Sequence, residues 1–162
     1  YLFYRKTKIN YVWILGRLVI VIPLVGACVR VGNLMNSEIY GVETTLPWGF
    51  VFLRNGETMP KHPTQLYEAL TCIVIFVGLM IYYFKAKCKP RPGNIFGIFL
   101  VALFGMRIVI ETIKENQVGF EDAMAFNMGQ LLSVPFVIAG IVFIYMSYKK
   151  KFSSEIFLDK KK

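Results

Sequence analysis

Four apolar runs of transmembrane length constrain this chain more than any other feature. They cover about residues 11–29, 66–84, 94–113 and 128–148. Each is close to the roughly 20 residues that a helix needs to cross a bilayer. Inside hydrocarbon the backbone must satisfy its own hydrogen bonds, so a spanning chain is helical or a closed barrel. These runs are continuously apolar rather than alternating, which selects helices. Arg17 interrupts the first, Glu68 falls in the opening turn of the second, the third carries Arg107 and Glu111, and the fourth has no charge. Pro23 and Pro135 lie inside spans, where neighbouring helices can satisfy the freed carbonyls. The expected fold is an all-α integral membrane protein, a single membrane domain over residues 1–162 with four transmembrane helices. A disordered chain is excluded by the 56% hydrophobic content.

The net charge of +9 would suggest nucleic acid in a soluble protein. Here the positives follow the spans. Arg5, Lys6 and Lys8 precede the first; Lys85, Lys87, Lys89 and Arg91 separate the second from the third; Lys149, Lys150, Lys151, Lys160, Lys161 and Lys162 follow the fourth. Those segments hold 13 of the 19 basic residues, opposed only by Glu155 and Asp159. The other two connections pair Arg30, Arg54, Lys61 and Lys114 with Glu38, Glu43, Glu57, Glu115, Glu121 and Asp122. The alternation is what four consecutive crossings require, and the positive-inside rule puts the basic segments and the C-terminus in the cytoplasm. The charge is read as topology and contact with anionic lipid, with no nucleic-acid partner. The chain opens on Tyr1 and shows no signal-peptide pattern; it is expected to be a piece of a longer or processed protein. Cys28, Cys72 and Cys88 have neither CxxC spacing nor a neighbouring histidine, so no disulfide framework or metal site is expected.

The outer connection, residues 30–65, reads as a small loop subdomain. Pro47-Trp48-Gly49 marks a turn, and Asn55-Gly56 after the β-prone run 50–53 predicts a β-hairpin. Thr64 is placed to cap the second span, with Glu68 near that helix's positive end.

Arg107 is the sharpest chemical signal. It lies 13 residues past Asn94, about 20 Å up the third span and within the outer half of the hydrocarbon. An ionisable residue there is costly and points to function. Glu111 and Glu115 share its helix face, so a purely structural Arg107–Glu111 pair is the alternative. Arg30 ends the first span, where a cation can simply complement the helix dipole. It also opens a dense polar cluster, Arg30, Asn33, Asn36, Ser37, Glu38, Tyr40 and Gly41. Two guanidinium forks at the same outer level suit a phosphodiester, which points to an anionic phospholipid site in the outer leaflet. His62, the only histidine, either serves as a base near neutral pH or caps its loop locally.

The run Arg30-Val31-Gly32-Asn33-Leu34-Met35-Asn36-Ser37-Glu38-Ile39-Tyr40-Gly41 resembles the signature of the phosphatidylglycerol–prolipoprotein diacylglyceryl transferases, Gly-Arg-x-Gly-Asn-Phe-x-Asn-x-Glu-x-x-Gly. Val29 and Leu34 depart from that pattern by apolar swaps. Leu46-Pro47-Trp48-Gly49, the His62-Pro63-Thr64-Gln65-Leu66-Tyr67-Glu68 run, Arg107 with Glu111, and Met128-Gly129-Gln130-Leu131 follow in family order. The resemblance implies a bacterial inner-membrane enzyme of seven spans, of which these are the last four, with a His-Gly-Gly motif and a tyrosine on spans upstream. The reaction implied is transfer of a diacylglyceryl group from phosphatidylglycerol to the lipobox cysteine of a prolipoprotein, with no metal or organic cofactor. It implies Arg30, Arg107, Glu111 and His62 as catalytic, and Arg30, Asn33, Glu38, Gly41, Tyr67 and Arg107 as substrate-binding. The competing class is a transporter or assembly subunit built around an intramembrane Arg–Glu pair. On the transferase reading, the 162-residue chain alone is expected to be inactive.

The charge pattern sets a topology test. In intact cells an impermeant thiol reagent is expected to reach cysteines introduced in 30–65 and to miss those in 85–91. Labelling of the 85–91 loop from outside would refute the four-span orientation.

Overall fold

The computed structural model describes residues 1–115 and 126–152. Glu121 and Asp122 of the second outer connection, and Glu155, Asp159 and Lys160 to Lys162 of the tail, lie outside the described residues. A short helix α1 (Leu2–Thr7) precedes α2 (Tyr11–Met35), α3 (Thr64–Lys85), α4 (Asn94–Glu111) and α5 (Met128–Tyr148). The last four are the helices long and apolar enough to cross a membrane among the described residues. Their exposed faces carry Val25, Val74, Val109 and Ile138, an apolar exterior that suits lipid and would be an aggregation surface in water.

The ends follow local chemistry. Asn10 caps α2, its side chain accepting from the Val12 N–H. A capping box starts α5: the Asn127 side chain accepts from the Gln130 N–H, and Gln130 Oε1 from the Asn127 N–H at 3.3 Å. Two expectations differ from the structure. The first span does not stop at residue 29; α2 runs on to Met35, so Arg30 lies within the helix. Thr64 is not a cap but the first residue of α3, and its hydroxyl donates to the Ile39 carbonyl at 3.0 Å. The side chain thereby ties the outer loop to the helix.

The predicted β-hairpin is replaced by a tighter turn. Leu53–Asn55 forms a single 3-10 turn closed by Gly56 at φ 78°, the left-handed conformation that glycine adopts without strain. The pairings among the described residues are isolated antiparallel bridges, Glu43 and Phe50 each with Lys61, and Gly41 with Lys114. The chain reverses, but the inward-turned Lys61 holds the loop through charge. Its Nζ lies 2.9 Å from Glu115 and 3.0 Å from Glu57, over the Tyr40 ring. Hydrogen bonds from Lys61 and Tyr40 lower the Glu57 pKa. Burial opposes the charge on Lys61, and the hydrogen bonds to Glu115 and Glu57 outweigh it, raising its pKa.

The membrane core is built from Val19 and Ile20 of α2, Ile75 and Leu79 of α3, and Ile95, Phe99 and Leu100 of α4. α4 and α5 meet at glycines. A Cβ on Gly97 would lie 2.7 Å from the Gly140 carbonyl oxygen, and one on Gly140 would lie 2.9 Å from the Gly97 oxygen. Stacked Phe104 and Phe136, with ring centroids 4.4 Å apart, flank the contact. Close backbone approach of this kind supplies van der Waals packing where lipid removes the hydrophobic drive. Gly97→Val or Gly140→Val is therefore expected to destabilise the fold by about 1–3 kcal/mol, whereas a Cβ at Gly105 meets nothing within 4 Å and Gly105→Ala is expected to be tolerated. Denaturant titration in detergent distinguishes the positions.

Candidate active site

Three helices converge on one cavity of about 180 Å³. Gly26 and Arg30 reach it from α2, Glu68 and Cys72 from α3, and Leu103 and Arg107 from α4. The pairs are four residues apart, so each presents a single helix face. The two arginines singled out by sequence thus line the same space, delivered by different helices.

A chain of alternating charges anchors one wall. Arg30 Nε lies 3.0 Å from Glu68 Oε2. Lys114 Nζ donates to Glu68 Oε1 at 3.2 Å and lies 3.5 Å from Glu111 Oε2. Glu68, Glu111 and Lys114 are all buried. Charges removed from water hold only when each meets an opposite one in good geometry, and here two cations alternate with two anions. The order differs from the sequence expectation: Glu111 pairs with Lys114, and no Arg107–Glu111 pair is formed. Among the described residues Arg107 has no ion-pair partner, and its guanidinium is left to the cavity. Glu68 Oε2 and Glu111 Oε2 are buried and accept no hydrogen bond among the described residues. Their ion contacts leave acceptor capacity unused.

The remaining candidate residues sit around this centre and do not line it. Asn33 Nδ2 donates to Glu38 Oε2 at 3.0 Å, closing the end of α2 on the following turn. Fully buried Gln65 donates to the Glu38 carbonyl at 2.6 Å. Ser37 and Ile39 are left-handed at φ 58° and 60°, an unusual conformation for the β-branched Ile39; its carbonyl is held by Thr64. Gly41 packs rather than opens. A Cβ there would lie 2.5 Å from the Ile113 carbonyl oxygen and 2.8 Å from His62 Cβ. Its N–H donates to the His62 carbonyl at 2.9 Å, and the Val42 N–H donates to Ile113 O at 3.0 Å. Gly41 thus lets the outer loop clamp the start of α3 to the end of α4. His62 Nδ1 is 3.2 Å from the Tyr67 hydroxyl, which accepts from Trp48 Nε1 at 2.9 Å. When the imidazole proton is on Nδ1, Tyr67 accepts from both rings and His62 Nε2 is left as a free base.

Comparison with known proteins adds the decisive observation. Residues 1–146 match the model of the family described as prolipoprotein diacylglyceryl transferase. The chain belongs to that family. The phosphatidylglycerol–prolipoprotein diacylglyceryl transferase of Bacteroides fragilis is 45% identical over 151 residues, 93% of this chain and 54% of the relative. The enzyme of the same name from Porphyromonas gingivalis is 42% identical over 165 residues, 94% and 58% of the two chains. That from Tolumonas auensis is 44% identical over 152 residues, 93% and 58%. The chain spans about half the length of the curated relatives it matches.

Within this transferase family member, sequence reasoning passed over Glu68, Lys114 and Gln65 as site residues. Glu68 was read as a helix-end charge and Lys114 only as loop charge. The signal was present: Gln65, Glu68 and Cys72 recur at helical spacing on one face of an apolar run, and Lys114 follows Glu111 by three residues.

The network predicts a specific instability. Lys114→Met leaves buried Glu111 without a cation among the described residues and Glu68 with Arg30 alone, and is expected to cost about 3–5 kcal/mol. Adding Glu111→Gln is expected to recover part of that loss. Abundance in membranes and denaturant midpoints of the two variants check it; equal damage from the single and double variants would dissolve the proposed coupling.

Proposed function

We propose that the protein to which this chain belongs transfers the diacylglyceryl group of phosphatidylglycerol to the lipobox cysteine thiol of prolipoproteins. The observation that carries this reading is the pair of arginines, Arg30 from α2 and Arg107 from α4, lining one cavity, with Arg107 free of any ion-pair partner among the described residues. A phosphodiester is the anion whose oxygens two such forks can hold in bidentate fashion.

In the transfer, the cysteine sulfur attacks the glycerol carbon that bears the phosphate. A C–S bond forms, the C–O bond breaks, and its electron pair leaves on the phosphate oxygen of glycerol phosphate. The thiol proton goes to a base, for which His62 Nε2 is our candidate. Arg30 and Arg107 hold the phosphate as its charge grows. Preorganised donors in a low-dielectric site are worth about 3–4 kcal/mol each. Glu68 keeps Arg30 oriented through Oε2, and because a carboxylate oxygen accepts more than one hydrogen bond it is suited to accept also from a hydroxyl of the lipid's glycerol headgroup. Asn33, Glu38 and Gly41 shape the wall beside the cavity, Glu111 fixes Lys114 against Glu68, and Tyr67 orients His62. The chain forms a single membrane domain, the last four of seven spans, in the bacterial inner membrane with its C-terminus in the cytoplasm. Membrane lipid and the lipobox segment are its partners, and no cofactor enters.

The test is a substitution series in the full-length transferase carrying this sequence, read as transfer rate per folded enzyme. Arg30→Lys or Arg107→Lys keeps the charge and loses the fork, and is expected to lower the rate several-fold. Arg107→Gln is expected to lower it by roughly 100-fold or more, with abundance little changed because no buried anion depends on Arg107. Normal specific activity in Arg107→Gln and in both lysine variants would sink the phosphate-binding role.

A further inference from the structure

A second cavity, of about 930 Å³, opens at the other end of the bundle. It lies between the start of α2, the connection from α3 to α4 and the end of α5. Arg17 and Arg30 are 13 residues apart on α2, so the two cavities are separated by about 20 Å along the helix axis. Four cations line the second one, Arg17, Lys89, Arg91 and Lys150, and no carboxylate does so among the described residues. The contrast with the first cavity is direct, since there Glu68 stands beside Arg30.

The cations are prepared for an anion. Arg17 sits over the Trp13 ring, its guanidinium carbon 3.7 Å from the ring centroid, and it donates to the Trp13 carbonyl at 3.2 Å and to the Cys88 carbonyl at 3.5 Å. The ring contact and two carbonyl bonds hold the guanidinium in place and leave further N–H donors free. Ser147 lines the same cavity; it is 3% exposed and its hydroxyl has no hydrogen-bond partner among the described residues. A buried hydroxyl without a partner is costly, and a phosphate oxygen would satisfy it.

We propose that this cavity binds the phosphate of an anionic phospholipid from the leaflet opposite the Arg30–Arg107 site. Basic pockets between transmembrane helices recognise such headgroups, and the Trp13 ring adds an apolar wall to this one. The assignment does not depend on the transferase reading, because none of the residues that line this cavity lines the other. The site would anchor the bundle to lipid that is not consumed.

Trp13 serves as the reporter. In the full-length protein with Trp13 as its one tryptophan, reconstituted in phosphatidylcholine bilayers, quenching by chain-brominated phosphatidylglycerol is compared with quenching by chain-brominated phosphatidylcholine. The anionic lipid is expected to be preferred roughly fivefold or more, and Arg17→Gln with Arg91→Gln to bring the preference to roughly parity. Lys89→Gln with Lys150→Gln, which leaves the Trp13–Arg17 contact intact, is expected to reduce it in part. Equal quenching by the two lipids, or a preference that survives both double variants, would overturn the proposal. So would displacement by millimolar inorganic phosphate, which would make the ligand a free anion. Arg107→Gln is expected to leave the preference unchanged; its loss there would assign the lipid to the first cavity instead.

Discussion

Lys114 sits between two carboxylates at the edge of a membrane, and much of the site's order depends on that contact. Glu68 belongs to α3 and Glu111 ends α4; Lys114 joins them at 3.2 and 3.5 Å, and Glu68 in turn holds Arg30 of α2 at 3.0 Å. None of these charges could be buried alone, because the desolvation penalty for an unpaired ion is several kcal/mol. Together they form a neutral alternating row. The helices are thus held in register by a requirement for charge balance, in a place where apolar packing against lipid gives little preference among arrangements.

That balance also explains why Arg107 stands apart. Had Glu111 turned to Arg107, as its spacing on α4 allows, Lys114 would keep only Glu68 and Arg107 would be neutralised within the protein. With Glu111 committed to Lys114, the positive charge facing the cavity has no internal partner among the described residues. On the proposed reading, the phosphate of an anionic lipid supplies the partner that Arg107 lacks among the described residues. The outer loop supports it from above: Gly41 lets the strand-like segment pass close to both His62 and Ile113, and buried Lys61 fastens the rest of the loop to Glu57 and Glu115.

The spans were legible because twenty apolar residues in a row admit few alternatives, and α5 begins and ends as the hydropathy of residues 128–148 implies. The end of α2 was not legible. Asn33 and Asn36 resemble helix stop signals, yet the helix continues to Met35 because its last turns pack beside α3 in the polar layer, where Gln65 reaches the Glu38 carbonyl. The hairpin expectation failed for a similar reason: Asn55-Gly56 specifies a tight reversal, but whether strands extend from it depends on partners, and Phe50 finds only Lys61. For the site, the two arginines could be found from their cost in the membrane. Their partners were harder to read, since i+4 spacing favours Arg107–Glu111 while Glu111 pairs instead with Lys114 three residues on and Arg30 pairs with Glu68 of another helix.

The spanning helices differ in length, and the bilayer must respond. α2 has 25 residues and α4 has 18, about 37 Å against 27 Å. A hydrocarbon layer near 30 Å is longer than α4, while the surplus of α2 is its polar end, residues 30–35, which stands above that layer. Beside α4 the mismatch favours local thinning. Lipid next to Arg107 would then sit with its headgroup drawn inward, and the distance that a water-borne reactant must descend to meet it would shrink. The shorter helix would let the membrane itself carry part of the work of bringing a polar headgroup to a buried charge.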